Sequence, residues 1–116
     1  MKTILRLAVI SVSILFIAGC INMPTPPAQI TGASVSSDKY ESMDCSRLAV
    51  EMNFLAKREN QLTTAQDQRI KTSQVQSFWW GFGKGDGLEA SELANVRGEK
   101  EAVRTAMEAN NCSTEN

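Results

Sequence analysis

The sequence predicts an all-α fold: an antiparallel helical hairpin closed by a disulfide and preceded by a signal peptide and a flexible tether. Two stretches, 44–77 and 87–111, carry apolar residues at steps of three and four, the spacing of an amphipathic helix. A glycine-rich segment at 78–87 separates them and lets the chain reverse direction. One cysteine lies at the outer end of each stretch. Together these observations predict the hairpin.

The N-terminus has the layout of an export signal. Lys2 and Arg6 form a cationic start, and residues 7–18 are an uncharged, mostly apolar run. At 1.5 Å per residue this run reaches about 18 Å as a helix, too short for a hydrocarbon core of about 30 Å. The sequence therefore predicts a signal peptide over 1–19 that is removed from the mature protein, and no permanent span.

The end of this signal, Ile17-Ala18-Gly19-Cys20, resembles the lipobox of bacterial lipoproteins. The resemblance implies cleavage before Cys20 and a diacylglycerol, with palmitate-type chains, on its thiol. This covalent lipid is the only cofactor that we expect. Ile21 stands where an Asp would favour the inner membrane, which implies an outer-membrane anchor facing the periplasm, with the inner membrane as the alternative. An ordinary signal peptide followed by an unmodified cysteine is the competing interpretation.

The other two cysteines, Cys45 and Cys112, are predicted to form a disulfide. If Cys20 carries lipid, only one pairing remains, and an exported chain folds in an oxidising compartment. Two free thiols are the alternative. The chain has no histidine and no cysteine cluster, so we expect no metal site.

Residues 20–43 are predicted to be the lipidated cysteine and a flexible linker, because all three prolines lie there without any periodicity. The hairpin is assigned to 44–112, and a short tail to 113–116. Asp44 is a suitable N-cap for the first helix. The predicted core stripe of that helix is Leu48, Met52, Leu55 and Leu62. The same register also contains polar residues, which are Glu59, Gln66, Arg69 and Ser73.

The second helix is predicted to begin near Gly87. Asp86 would cap it, with Glu89 reaching back as in a capping box. Gly98, inside this helix, is either a loss of about 1 kcal/mol in helix propensity or a place where two backbones approach. The apolar stripe, with one polar interruption, is Leu93, Val96, Lys100, Val103 and Met107.

The two stripes agree with the predicted disulfide. Folding the chain back at 78–87 brings Cys45 to Cys112 and places Glu59 opposite Lys100. The spacing of the stripes does not depend on the cysteines, so this agreement supports the hairpin. A two-helix core is thin, and association of two copies into a four-helix bundle is another possible source of stability.

The segment FWWGFGKGDG at 78–87 holds both tryptophans of the chain, and its aromatic residues are Phe78, Trp79, Trp80 and Phe82. Three interpretations stay open. The rings cap the core of the hairpin itself; or they enter a lipid headgroup region, which suits indole; or they insert into a protein partner, since tryptophan is enriched at binding hot spots. A phosphate-binding loop does not fit, because Lys84 is followed by glycine where the Walker pattern has Ser or Thr.

Three further patterns resemble a loose group of small proteobacterial envelope lipoproteins. They are Tyr40-x-x-Met43-x-Cys45-x-x-Leu48, Glu92-Leu93-Ala94-x-x-x-Gly98-Glu99 and the closing Asn111-Cys112. The resemblance implies paired helices and supports the two cysteines. It implies no particular activity.

Composition narrows the function further. The chain carries 12 basic and 13 acidic residues, without the basic excess that binding to a phosphate backbone needs, so we expect no nucleic acid partner. Without histidine or a spare thiol, acid–base and nucleophilic catalysis lack their usual groups, and we expect no enzyme. The predicted function is a membrane-anchored lipoprotein with a structural or protein-interaction role in the cell envelope. The alternative is a membrane-active protein whose tip engages lipid directly.

Overall fold

The computed structural model of the protein describes residues 22–112. The predicted signal peptide, Cys20 and the tail at 113–116 lie outside the described residues. Within 22–112 there is no β-strand. The helical elements are a 3-10 turn at Pro27–Gln29 and three α-helices, which we call α1 (Asp38–Glu41), α2 (Cys45–Trp80) and α3 (Leu88–Ala109). The all-α prediction is confirmed, because the two long helices α2 and α3 pack against each other.

Helix α2 begins and ends with well-defined caps. The Asp44 side chain accepts a hydrogen bond from the backbone N–H of Arg47 at 2.8 Å, as predicted. At the other end Gly81 adopts a left-handed conformation, φ 78°, and its N–H donates to the carbonyl of Ser77. The helix therefore stops at the first glycine and not at the first aromatic residue. The residues Phe78 to Trp80, predicted to be in the loop, form the last helical turn.

Helix α3 begins at Leu88 without a side-chain cap, so the predicted capping box is wrong. The Asp86 carboxylate is occupied instead by hydrogen bonds from other parts of the chain. The C-terminal end is closed by Asn111 in a left-handed conformation, φ 52°. This turn lets the N–H of Cys112 donate to the carbonyl of Met107 at 2.9 Å. It also directs Cys112 towards the start of α2.

The predicted pairing of α2 with α3 is confirmed. Cys45 and Cys112 form the disulfide, with an S–S distance of 2.07 Å and Cα atoms 5.5 Å apart. Glu59 and Lys100 form an ion pair near the middle of the hairpin. We call the disulfide end of the hairpin the closed end, and the opposite end the tip end. The apolar core lies towards the closed end and consists of Tyr40, Leu48, Leu55, Ala102, Val103 and Ala106.

Residues 22–43, expected to be part of a flexible linker, instead lie along the hairpin, and we call them the strap. The Ala33 N–H donates to the carbonyl of Ala94 on α3 at 2.8 Å. The Arg97 guanidinium donates to the carbonyls of Pro27, at 2.5 Å, and Ile30. A proline-rich segment offers few N–H groups, so carbonyl acceptors dominate its hydrogen bonding, and Arg97 satisfies two of them.

Close backbone approach and one buried ring hold the strap in place. A Cβ atom built on Gly98 would overlap the carbonyl oxygen of Ala33, so Gly98 does mark a place where two backbones meet. The second backbone is the strap and not α2. Further along, Tyr40 is 1% exposed and its hydroxyl donates to Glu99 on α3 at 3.2 Å. The strap thus adds a third layer of packing to the two-helix core.

Candidate functional site

The candidate site is the aromatic tip, which we define as Phe78, Trp79, Trp80 and Phe82. The first three residues occupy the last turn of α2, and Phe82 follows the left-handed Gly81. Their exposed fractions are 82%, 72%, 75% and 65% in chain order. The rings of Phe78 and Trp79 meet edge to face, with centroids 5.4 Å apart and planes at 88°. The predicted site residues are therefore brought together at one end of the molecule.

This exposure contradicts the interpretation that the aromatic rings cap the core of the hairpin. The helix carries them past the point where α3 begins, so they have no core of their own chain to cover. Val75, four residues before Trp79 on the same side of the helix, is also 60% exposed. The result is an apolar patch that faces solvent, and patches of this kind on soluble domains are typical of interaction sites.

Two glycines of the loop that follows α2 pack against the beginning of the strap. Gly83 and Gly85 are buried although they lie in a connecting loop. A Cβ on Gly83 would lie 3.0 Å from the sulfur of Met23. The side-chain amide of Asn22 donates to the Gly83 carbonyl at 3.3 Å, and the Ser77 hydroxyl donates to the Met23 sulfur at 3.4 Å. The first described residues of the chain are thus packed directly behind the aromatic tip.

A polar network connects the strap, α2 and the loop next to the aromatic tip. The Asp86 carboxylate accepts hydrogen bonds from the N–H and the hydroxyl of Thr25, both at 2.5 Å. The fully buried Gln66 amide donates to Asp86 at 2.8 Å and to the Thr25 carbonyl at 2.9 Å. Desolvation raises the pKa of Asp86, but the hydrogen bonds from Thr25 and Gln66 and the charge of Arg69 outweigh it, so the net shift is downwards.

Sequence reasoning missed this network. Gln66 did stand out, because the core stripe of α2 turns polar at its position. Its partners could not be predicted, since Thr25 lies 41 residues away in a segment without periodicity. Asp86 looked like a helix cap because it precedes α3 by two residues. In the folded protein the donors on Thr25 and Gln66 occupy this carboxylate, and it makes no cap hydrogen bond to α3.

Several other carboxylates form ion pairs along the hairpin. Glu59 accepts from Lys100 and, at 2.8 Å, from Arg97. The hydrogen bond from Lys100 and that from Arg97 hold the pKa of Glu59 below its usual value despite its partial burial. Glu92 pairs with Arg58 at 2.6 Å. Within residues 22–112 no group of three or more metal-ligating side chains occurs.

The other predicted site residues lie away from the tip or outside the described part of the chain. Cys45 and Cys112 are joined at the closed end. The 36 residues of α2 separate that end from the tip by about 54 Å along the helix axis. Cys20 lies outside the described residues, and the predicted lipid on it stays a prediction.

Comparison of the chain with protein-family models, curated proteins and solved structures gave no match. Among the described residues, no helix combines the length and apolar character needed to cross a membrane. The site is defined by three geometric features. Exposed aromatic rings lie at the end of a helix, buried glycines lie behind them, and the start of the strap packs onto those glycines.

Proposed function

We propose that this protein is a lipid-anchored, non-catalytic component of the bacterial cell envelope, held at the outer membrane and facing the periplasm. The proposal is supported by the signal-like N-terminus ending at Cys20, with Ile21 next to it. Two acyl chains on one cysteine are enough for stable membrane attachment. The described domain begins at Asn22, so the proposed anchor would be connected to it through a single intervening residue.

A structural or interaction role is supported by what the ionisable side chains do. The half-buried Glu59 is shared between two cations, and the Asp86 carboxylate is used to hold the strap. These groups join one part of the chain to another, and their hydrogen bonds are made within the protein. Their arrangement favours a scaffold that presents a surface over a pocket that performs a reaction.

The observation that carries the proposal is the exposure of the aromatic tip. Each of its four rings is at least 65% exposed, so most of the apolar surface of each ring is free to be covered. Burying a side chain of this size stabilises a complex by about 1.5–3 kcal/mol. The tip is therefore the surface with which we expect the protein to contact a partner, either an envelope protein or the lipid bilayer.

In-cell photo-crosslinking tests the contact surface. A photoreactive residue at Trp80 is compared with one at Phe54, an aromatic residue of α2 that is 62% exposed and lies far from the tip. We expect adducts from position 80, and few from position 54. A protein adduct identifies a protein partner, and a lipid adduct identifies the bilayer. Equal labelling at both positions would contradict a specific role for the tip.

Mass spectrometry of the protein purified from membranes tests the anchor. We expect a diacylglycerol on Cys20 and release of the Cys20→Ala variant into the soluble fraction. The Cys45→Ala/Cys112→Ala variant is the matched control, because it removes the other two cysteines and should stay lipidated. An unmodified Cys20 in the membrane-derived protein would refute the anchoring proposal.

A further inference from the structure

We infer that the aromatic tip inserts into the headgroup region of the same bilayer that holds the lipid on Cys20, so that the hairpin stands on the membrane with its closed end directed outwards. The inference rests on the proposed lipid anchor. What the structure adds is the position of the anchor relative to the tip. That position follows from where the strap begins.

The strap begins at the tip end of the hairpin. Asn22 donates to Gly83, Met23 packs against the buried Gly83, and Thr25 bonds to Asp86. From there the strap runs along α3, past Arg97, to Tyr40 near the closed end. The direction of the strap is thus fixed at both of its ends.

Chain connectivity then places Cys20 near the tip. Cys20 lies two positions before Asn22 in the chain, and an extended chain advances at most about 3.6 Å per residue, so their Cα atoms lie within about 7 Å of each other. The closed end is about 54 Å from the tip along the 36 residues of α2. An acyl chain on Cys20 would therefore enter the membrane beside the aromatic tip.

The chemistry of the tip suits the region that this geometry assigns to it. The headgroup layers add about 5–8 Å on each side of the hydrocarbon core, and tryptophan is enriched at that depth. Residues 73–85 contain one charged side chain, Lys84, whose backbone N–H donates to Ser73 at 3.4 Å. The Lys84 side chain is exposed and can extend towards lipid phosphates. A charge-poor aromatic surface with one cation matches a phospholipid interface.

Tethering favours the bilayer over a protein as the occupant of the tip. A surface held close to its anchor meets lipid at a high effective concentration, whereas a soluble partner has to arrive by diffusion. Such a partner would also have to displace the headgroups from the rings. The bilayer is therefore the partner that the position of the tip selects.

Intrinsic fluorescence of the acylated full-length protein tests this inference, because Trp79 and Trp80 are the only tryptophans of the chain. The protein is reconstituted into phosphatidylethanolamine/phosphatidylglycerol vesicles with and without bromine atoms on the acyl chains close to the headgroup. We expect a blue-shifted emission and the loss of most of its intensity in the brominated vesicles. The control Trp79→Phe/Trp80→Phe/Phe54→Trp carries its indole about 38 Å from position 79, and its emission should not be quenched.

Each other outcome overturns the inference in a distinguishable way. Protein with a lipid on Cys20 and unquenched tip emission would refute the membrane contact while leaving the proposed anchor intact. Unquenched emission that shifts with protein density would assign the tip to a second copy of the chain. Equal quenching of the control would mean that the hairpin lies flat on the bilayer. Absence of lipid on Cys20 would refute the proposed function itself.

Discussion

The closed end and the tip end of this hairpin are held together by different physical means. At the closed end, Leu48, Val103 and Ala106 are fully buried and a disulfide joins the helix termini. Towards the tip, the fully buried residues of α2 are Gln66 and Ser73, both polar. One end is thus stabilised by apolar burial and a covalent bond, the other by hydrogen bonds to the strap and to the loop that follows α2. The aromatic rings at the tip take part in neither the apolar core nor these hydrogen bonds, so they are free to contact a partner.

The largest effect should come from removing the disulfide. Closing a loop of 67 residues stabilises the folded state by about 4 kcal/mol in the chain-entropy model. We expect Cys45→Ala/Cys112→Ala to lose about this much free energy of unfolding in a urea titration. The Cys20→Ala variant, measured in the same way, should not change. A double variant as stable as the parent would mean that the closed end does not need its covalent bond.

Truncation of the apolar core comes next. Leu48→Ala should lower the free energy of unfolding by about 3 kcal/mol, since Leu48 is 0% exposed and its removal leaves a cavity. Ser73→Ala, at a buried polar position near the tip, should cost about 1 kcal/mol. Val50→Ala, at a position 69% exposed, is the control and should change stability by less than about 0.5 kcal/mol. Equal losses for Leu48→Ala and Ser73→Ala would remove the contrast between the two ends.

The sign of the Gly98→Ala effect distinguishes a packed strap from a free linker. Helix propensity alone predicts that alanine stabilises α3 by about 1 kcal/mol. With the strap in place the new methyl group overlaps the Ala33 carbonyl, and we expect a net loss of about 1–2 kcal/mol. Asn95→Ala, at an exposed position of the same helix, isolates the propensity effect. A gain in stability from Gly98→Ala would show that the strap is not where the structure places it.

The smallest expected effect is the loss of the Asp86 hydrogen bonds at low pH. The lowered pKa of Asp86 means that its contribution is complete above the ordinary value of 3.8 and is lost as the pH falls through the lowered folded value. Protection factors, which correct amide exchange for its intrinsic dependence on pH, should therefore fall at low pH more for residues 22–25 than for residues 45–55, by at most about 1 kcal/mol in the free energy of opening. Asp86→Asn should flatten this dependence, and Glu101→Gln, in an exposed pair within α3, should leave it unchanged. Uniform loosening of both ends in acid would contradict the assignment.

The hairpin could be predicted because several local signals agree. The spacing of Leu48, Leu55 and Leu62 and the absence of glycine and proline between 44 and 77 depend on residues near one another in sequence. The two cysteines are 67 positions apart, but each lies at the outer end of one predicted helix, so the pairing of the two stripes agrees with their disulfide. The end of α2 was predicted three residues too early, since aromatic residues are compatible with a helix and only the left-handed Gly81 stops it. Local chemistry determined that boundary to within one turn.

The strap and the support of the tip could not be predicted, for a different physical reason. Their stability comes from single contacts between distant residues, such as Arg97 with the carbonyl of Pro27 and Thr25 with Asp86. An arginine on a helix and a proline-rich segment each have an ordinary solvent-exposed interpretation. Only Gly98 gave a sequence signal of close approach, and it did not say which backbone would approach.

Amide hydrogen exchange at Ala33 tests most directly whether residues 22–43 lie on the hairpin and lead to its tip. The Ala33 N–H donates to the Ala94 carbonyl, so we expect it to exchange slowly in the native protein, and much faster in Gly98→Ala. The neighbouring amides of Thr31 and Ser34 serve as internal references and should exchange quickly in both. Exchange at Ala33 as fast as at these neighbours in the native protein would contradict a docked strap, and with it the placement of the anchor beside the aromatic tip.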